Sequence, residues 1–186
     1  LKDKAIKKER YNKRAKKQFK EPFEKIKNFG AKSEVDFLSS PYFFYEKKIK
    51  HLIKKTHSVL EIGSGNGLYT YPLLKTGAKI TASDISKDSL SYLKKSFRSF
   101  KNFNLTCKTA DMEDLPFSNN SFDVVASAGS LSYGSKKIVD KEILRILRPN
   151  GIFICVDSLN NNPIYRFNRF QNYLRGKRTK SVILNC

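Results

Sequence analysis

Residues Val59 to Thr70 read V-L-E-I-G-S-G-N-G-L-Y-T. Val59, Leu60 and Ile62 form a short apolar run that predicts a buried strand. Glu61 sets a carboxylate inside that run. Gly63, Gly65 and Gly67 follow at alternate positions, and Leu68, Tyr69, Leu73 and Leu74 then open a helical spacing. A strand, a Gly-rich turn and a helix starting on that turn build a nucleotide-cofactor site. Glycine lets the backbone approach a ligand where a Cβ would collide.

The spacing argues against a dinucleotide. G-x-G-x-x-G would put its third glycine at Leu68, whereas here it comes one residue early, at Gly67. An acid just before the turn also suits a cationic ligand better than a pyrophosphate. The pattern E-x-G-x-G-x-G resembles motif I of the class I S-adenosylmethionine-dependent methyltransferases, whose cofactor carries an amino group and a sulfonium.

Outward from this turn, residues 78–83 (A-K-I-T-A-S) predict a second strand ending in Asp84. An acid about 20 residues beyond the first glycine, at a strand's C-terminal end, is placed to accept ribose hydroxyls. The alternative is a helix N-cap, open to Asp84, Ser86 or Asp88. Ile85 would lie beside the adenine. Asn104 to Thr109 predicts a third strand, followed by A-D-M-E-D-L-P-F. That run resembles the family's A-D-A-E-x-L-P-F. The resemblance implies that Asp111 receives the adenine amino group and that Met112 covers the ring. A polar surface turn is the competing reading.

Phe122 and Asp123 lead into V-V-A-S-A, a fourth strand. Ligands in doubly wound sheets sit beyond the C-terminal strand ends, so the loop from Ser127 to Tyr133 faces methyl donor and acceptor. It lacks the Asn/Asp-Pro-Pro-Tyr/Phe run common in enzymes that methylate base amines, which argues against nucleic acid as substrate. Lys136 to Leu147 predicts a helix, Arg148 to Gly151 a turn, and Ile152 to Val156 a fifth strand. L-R-P-N-G-I-F resembles the family's L-K-P-G-G before that strand. The resemblance runs from Tyr42 to Asp157.

Residues 1–40 form a basic arm, with ten basic and two acidic side chains in the first twenty. Its Y-N-K-R-A-K-K-Q-F resembles the Y-D-x-x-A-x-x-Y/F that opens many small-molecule methyltransferases, where the leading tyrosine covers the cofactor. Tyr11 is then part of a lid, with Asn12 where the family often has Asp. A solvated arm is the alternative. His51 and His57 read as structural or exposed. Residues 160–186 hold a helix, Ile164 to Leu174, whose Tyr165, Phe167, Phe170 and Tyr173 we expect to pack in a core or interface, with the lining of a substrate pocket as the alternative. We expect residues 41–159 to be the cofactor-binding core.

The expected fold is α/β: a Rossmann-like, doubly wound, mostly parallel sheet with helices on both faces. The final helix and antiparallel strand pair usual for the class are expected to be missing. Leu1 is not Met, so a truncated or trimmed chain is one expectation, and a homodimer over the uncovered edge is another. No apolar run approaches the roughly 18 residues of a membrane span, and no signal peptide is visible. Cys107, Cys155 and Cys186 lack metal spacing. The first two read as small buried hydrophobes, and a reducing cytoplasm follows.

The net charge of +20, from 37 basic and 17 acidic residues, admits a polyanionic partner. Lysine bias is the simpler account, because sequence-specific readers favour Arg.

The resemblance implies methyl transfer from S-adenosylmethionine to a small-molecule acceptor. The implied cofactor residues are Glu61, Gly63, Ser64, Gly65, Gly67, Asp84, Ile85, Asp111, Met112, Ser127 and Tyr11. Asp157, Tyr133 and Tyr165 are candidate bases by position only, and no metal is implied. Competing readings are an RNA or protein methyltransferase gripping its partner with the basic arm, and a noncatalytic cofactor-binding module.

Overall fold

The computed structural model describes residues 5, 6, 8–13, 40–98, 104–157, 167, 170, 171, 174 and 175. Five parallel strands carry the architecture: β1 (Ser58–Ile62), β2 (Lys79–Asp84), β3 (Leu105–Thr109), β4 (Phe122–Ala128) and β5 (Leu147–Val156). Their order is β3-β2-β1-β4-β5. The chain therefore winds one way from β1 and the other way from β4. That reversal opens a crevice at the C-terminal ends of β1 and β4.

Among the described residues, helices α1 (Ser40–Leu52), α2 (Thr70–Leu74), α3 (Lys87–Ser96) and α4 (Lys136–Ile146) accompany the sheet. Each face of the sheet has its own apolar cluster. On one side Val59, Ile80, Ala82, Val124 and Ala126 pack with Ile49, Leu73, Leu74, Leu93 and Phe97. On the other, Leu60, Ile62 and Val125 pack with Val139, Ile143 and Ile146 of α4. The strand period of two sends Leu60 and Ile62 to one face and Val59 to the other. The i, i+4, i+7 spacing of Val139, Ile143 and Ile146 makes the matching stripe on α4.

Local chemistry sets the boundaries of α3. Ser86 is its N-cap, accepting from Ser89 N–H at 3.1 Å. Asp88 sits in the first turn and Lys94 and Lys95 in the last, as the helix dipole favours.

The fifth strand differs from its sequence reading. The pairing Phe122↔Leu147 steps directly to Val124↔Ile152. Arg148 to Gly151 is thus an excursion within the β4–β5 ladder rather than a turn preceding it. Asn150 takes φ 62° there. Arg148 Nη1 pins the excursion on Asp123 at 2.8 Å.

Cys155 is exposed and Cys107 half-buried, so neither is the core residue that was expected. Phe167 and Phe170 are also exposed, so of the two packings expected for them the core is excluded within a single chain. Among the described residues, no helix is long and apolar enough to cross a membrane.

Candidate cofactor cavity

A cavity of about 260 Å³ lies at the reversal point. Gly63, Ser64 and Gly65 form its floor, and Asp84 and Ile85 one wall. Asp111 and Met112 form another, and Gly129, Ser130 and Tyr133 a third. The turn after β1, the end of β2, the loop after β3 and the loop after β4 therefore converge.

Asp84 joins the first two stations. Its Oδ2 accepts Gly65 N–H at 2.9 Å and its Oδ1 accepts Ser86 N–H at 2.8 Å. Burial raises the Asp84 pKa, and the amides of Ser86, Gly65 and Ile85 work against that shift. Ser86, not Asp84, is the N-cap of α3. The carboxylate lines the cavity and braces the start of α3 only through the Ser86 amide.

Gly63 and Gly65 take φ of 70° and 53°, a region that L side chains rarely adopt. A Cβ on Gly63 would collide with the Ser130 side chain, while one on Gly65 would meet nothing within 4 Å. Gly67 has a different role and does not line the cavity. A Cβ there would come within 2.7 Å of the Phe97 ring and 3.1 Å of Leu93. Its absence lets the turn pack against α3.

Glu61 lies below the cavity rather than on its wall. Sharing the parity of Val59, it points to the α2 face, where Thr70 Oγ1 meets its carboxylate at 2.5 Å. It is 2% exposed. Burial drives its pKa up to about 8, against the Thr70 hydrogen bond and with the help of the Asp84 charge.

Ser127 is likewise buried beneath the floor. Its hydroxyl reaches Ile62 O at 3.2 Å and Ser130 Oγ at 2.7 Å. The expected wall role of Ser127 passes to Ser130, which lines the cavity and donates to Ile62 O at 2.9 Å.

The third station is an Asx turn. Asp111 Oδ1 accepts Glu113 N–H at 3.0 Å, and Glu113 accepts Ser135 N–H at 2.7 Å, just before α4. Arg145 of α4 holds the same loop through Phe117 O at 2.6 Å and Leu115 O at 2.9 Å.

Tyr11 and Tyr133 both line the cavity and meet edge-on with centroids 6.2 Å apart. Burial, with Tyr133 second, raises the Tyr11 phenol well above its usual pKa. Asp157 is not on the wall; its Oδ2 accepts Ser132 N–H at 3.2 Å. Tyr165 lies outside the described residues. Sequence reasoning missed Tyr69, which lines the cavity, stacks on Tyr42 at 4.9 Å and meets Tyr45 edge-on at 6.1 Å. An aromatic directly after the Gly turn was the available signal.

The cavity's charge opposes that of the chain. Its charged lining residues among those described are Asp84, Asp111 and Glu113, with no Lys or Arg, in a chain of net charge +20. Ser64 Oγ on the floor is buried without a hydrogen-bond partner. Such an atom is expected where a ligand completes the site.

Comparison with known proteins agrees with this arrangement. The profile of a methyltransferase domain family matches residues 60–155. The ubiquinone/menaquinone biosynthesis C-methyltransferase UbiE of Rickettsia bellii is 31% identical over 121 residues, 59% of this chain and 47% of that protein. Demethylmenaquinone methyltransferase of Staphylococcus haemolyticus is 29% identical over 141 residues, 68% and 56% of the two chains. The chain thus spans about half the length of these curated relatives.

Among solved structures, the YcgJ protein of Bacillus subtilis superposes with a TM-score of 0.62 at 20% identity, covering 72% of this chain and 58% of that one. A geranyl diphosphate methyltransferase solved with S-adenosylmethionine gives 0.62 at 16% identity, covering 76% and 61%. The sheet order, the glycine turn with Asp84 and the profile match converge: this chain belongs to the methyltransferase domain family, on the Rossmann-like class I fold.

Proposed function

We propose that the cavity binds S-adenosylmethionine and that the chain directs its methyl group to a small-molecule acceptor. The observation that carries this reading is Asp84, held by Gly65 and Ser86 amides at the wall of a cavity whose charged lining residues are all acidic. Asp84 would take the ribose hydroxyls, Ile85 and Met112 the faces of the adenine, and Asp111 its amino group. Gly63, Ser64 and Gly65 would carry the amino-acid portion. Glu61 would support this turn from beneath.

When bound, the cofactor supplies an electrophilic methyl on a sulfonium. The protein's part is to orient donor and acceptor and to keep the space dry. Tyr11, Tyr69 and Tyr133, with Leu68, give the described wall its apolar rim. The raised Tyr11 phenol stays protonated at neutral pH, so it donates a hydrogen bond and does not act as a phenolate base. Tyr133, the other phenol at this rim, would hydrogen-bond an acceptor hydroxyl.

The likeness to relatives named for quinone methylation supports a small organic acceptor. The free Cys107 and Cys155 suit a reducing compartment such as the cytoplasm.

Calorimetric titration with S-adenosylhomocysteine tests the cofactor site. Incubation with methyl-tritiated S-adenosylmethionine and candidate quinols, phenols and small acids tests the transfer. Saturable one-to-one binding is expected. A folded chain that binds neither nucleoside would end the reading.

A further inference from the structure

The N-terminal helical residues 8–13 touch the body of the protein at two adjacent positions. Of the described residues before Ser40, Tyr11 and Asn12 alone are partly buried. Tyr11 lines the cavity. Asn12 turns to the neighbouring helix, where its Oδ1 accepts from Ser86 Oγ at 2.5 Å, across 74 residues of sequence.

That serine has two other commitments. Its Oγ accepts Ser89 N–H as the α3 N-cap, and its own N–H donates to Asp84 Oδ1. A hydroxyl has one proton to give, and here it goes to Asn12. One side-chain oxygen thus ties the covering helix to the residue that orients Asp84.

We propose that Asn12 is a positioning residue that holds Tyr11 over the cavity through its hydrogen bond with Ser86. This rests on the cofactor reading given above. Breaking the bond leaves the Asp84–Gly65 contact in place and frees only the cover. The effect therefore falls on cofactor dissociation and on KM for the cofactor, with kcat little changed.

The test uses Asn12→Leu, Asn12→Asp, Ser86→Ala and the Asn12→Leu/Ser86→Ala double variant in the full chain. Two quantities are measured. One is dissociation of tritiated S-adenosylmethionine by rapid filtration. The other is amide hydrogen exchange of residues 8–13 in the ligand-free protein. Asn12→Leu is expected to speed both by roughly 3- to 10-fold, the range for one lost hydrogen bond. Asn12→Asp, which keeps an acceptor oxygen, should restore both. In the Ser86→Ala background Asn12→Leu should add nothing.

Unchanged exchange and dissociation in Asn12→Leu, or an Asn12→Asp variant as fast as Asn12→Leu, would overturn the proposal. If the wild type binds no S-adenosylmethionine, exchange decides by itself. Faster exchange at 8–13 in Asn12→Leu upholds the tether while the cofactor reading falls; unchanged exchange removes both.

Discussion

The Asp84 carboxylate accepts the Gly65 amide at 2.9 Å, joining residues 19 apart in sequence. The same carboxylate takes the Ser86 amide. The glycine turn and the start of α3 are thus held to one another by the group proposed to bind ribose. Asp84→Ala removes both the ligand contact and this brace. Calorimetry with S-adenosylhomocysteine should show binding weakened by about 10- to 100-fold, the scale of hydrogen bonds to a charged group. Affinity within twofold of wild type would remove Asp84 from the site.

Two glycines of the turn, Gly65 and Gly67, should fail in different ways. Gly67→Ala drives a methyl into the Phe97 ring and Leu93. It should cost about 2–4 kcal/mol of stability from overpacking and backbone strain together. Gly65→Ala meets nothing in the protein, so only the strain of its positive φ remains, about 1–2 kcal/mol. Its larger effect should be on cofactor affinity, through a methyl beside the ligand. Urea denaturation and calorimetry, run on both variants, separate the two. Equal stability loss with equal affinity would contradict the assignment.

Glu61 should leave a pH signature on folding. Its folded pKa of about 8 stands above the ordinary 4.5 because burial disfavours the anion. Its contribution is therefore fully present below pH 4.5 and is lost as pH rises through 8. Between those values stability should fall by an amount on the order of a few kcal/mol, and Glu61→Gln should flatten that slope. Urea midpoints at pH 5, 6.5 and 8 measure it. Parallel curves for wild type and Glu61→Gln would show that Glu61 is not the source.

Arg145 should matter at a distance to the loop after β3, proposed to meet the adenine. Its guanidinium holds Phe117 O, Leu115 O and Glu142, while Glu142 accepts Leu115 N–H at 2.8 Å. Hydrogen bonding from Arg145 keeps the Glu142 carboxyl below its usual pKa. Arg145→Met retains the stem and loses the fork. A loss of about 1–3 kcal/mol is expected, with faster hydrogen exchange across residues 111–121. Unaltered exchange there would show that the loop is held by other contacts.

Much of this was legible beforehand because each signal was local. A strand, alternate glycines and a helix opening within twelve residues left little freedom, and the acid ending β2 followed from chain geometry. At the third station the sequence marked Asp111 and Met112, which line the cavity, and the Asx turn there is specified by Asp111 and its immediate neighbours. What was illegible depends on side-chain direction across elements. The parity of Glu61 sends it under the turn, toward Thr70, although its spacing suggested the wall. Ser127 and Ser130 look alike in sequence, and only the end of β4 decides which one faces the cavity. The Arg148–Gly151 signal was a real break, with Asn150 at positive φ, but pairing resumes beyond it and the ladder absorbs the excursion. Tyr69 was signalled only by its place after the glycine turn, and its stacking on Tyr42 exists only once α1 lies beside that turn.

The acidic cavity wall in a strongly basic chain gives the protein opposite polarities at two length scales. Out to roughly a Debye length, about 8 Å at physiological salt and about 30 Å at 0.01 M, an approaching cation meets the net positive field of the whole chain. Inside the mouth it meets Asp84, Asp111 and Glu113. Most charged ligands are steered in from afar and slowed by added salt. Here salt should remove a long-range barrier while leaving the short-range attraction largely intact, so a cationic ligand should associate faster as ionic strength rises.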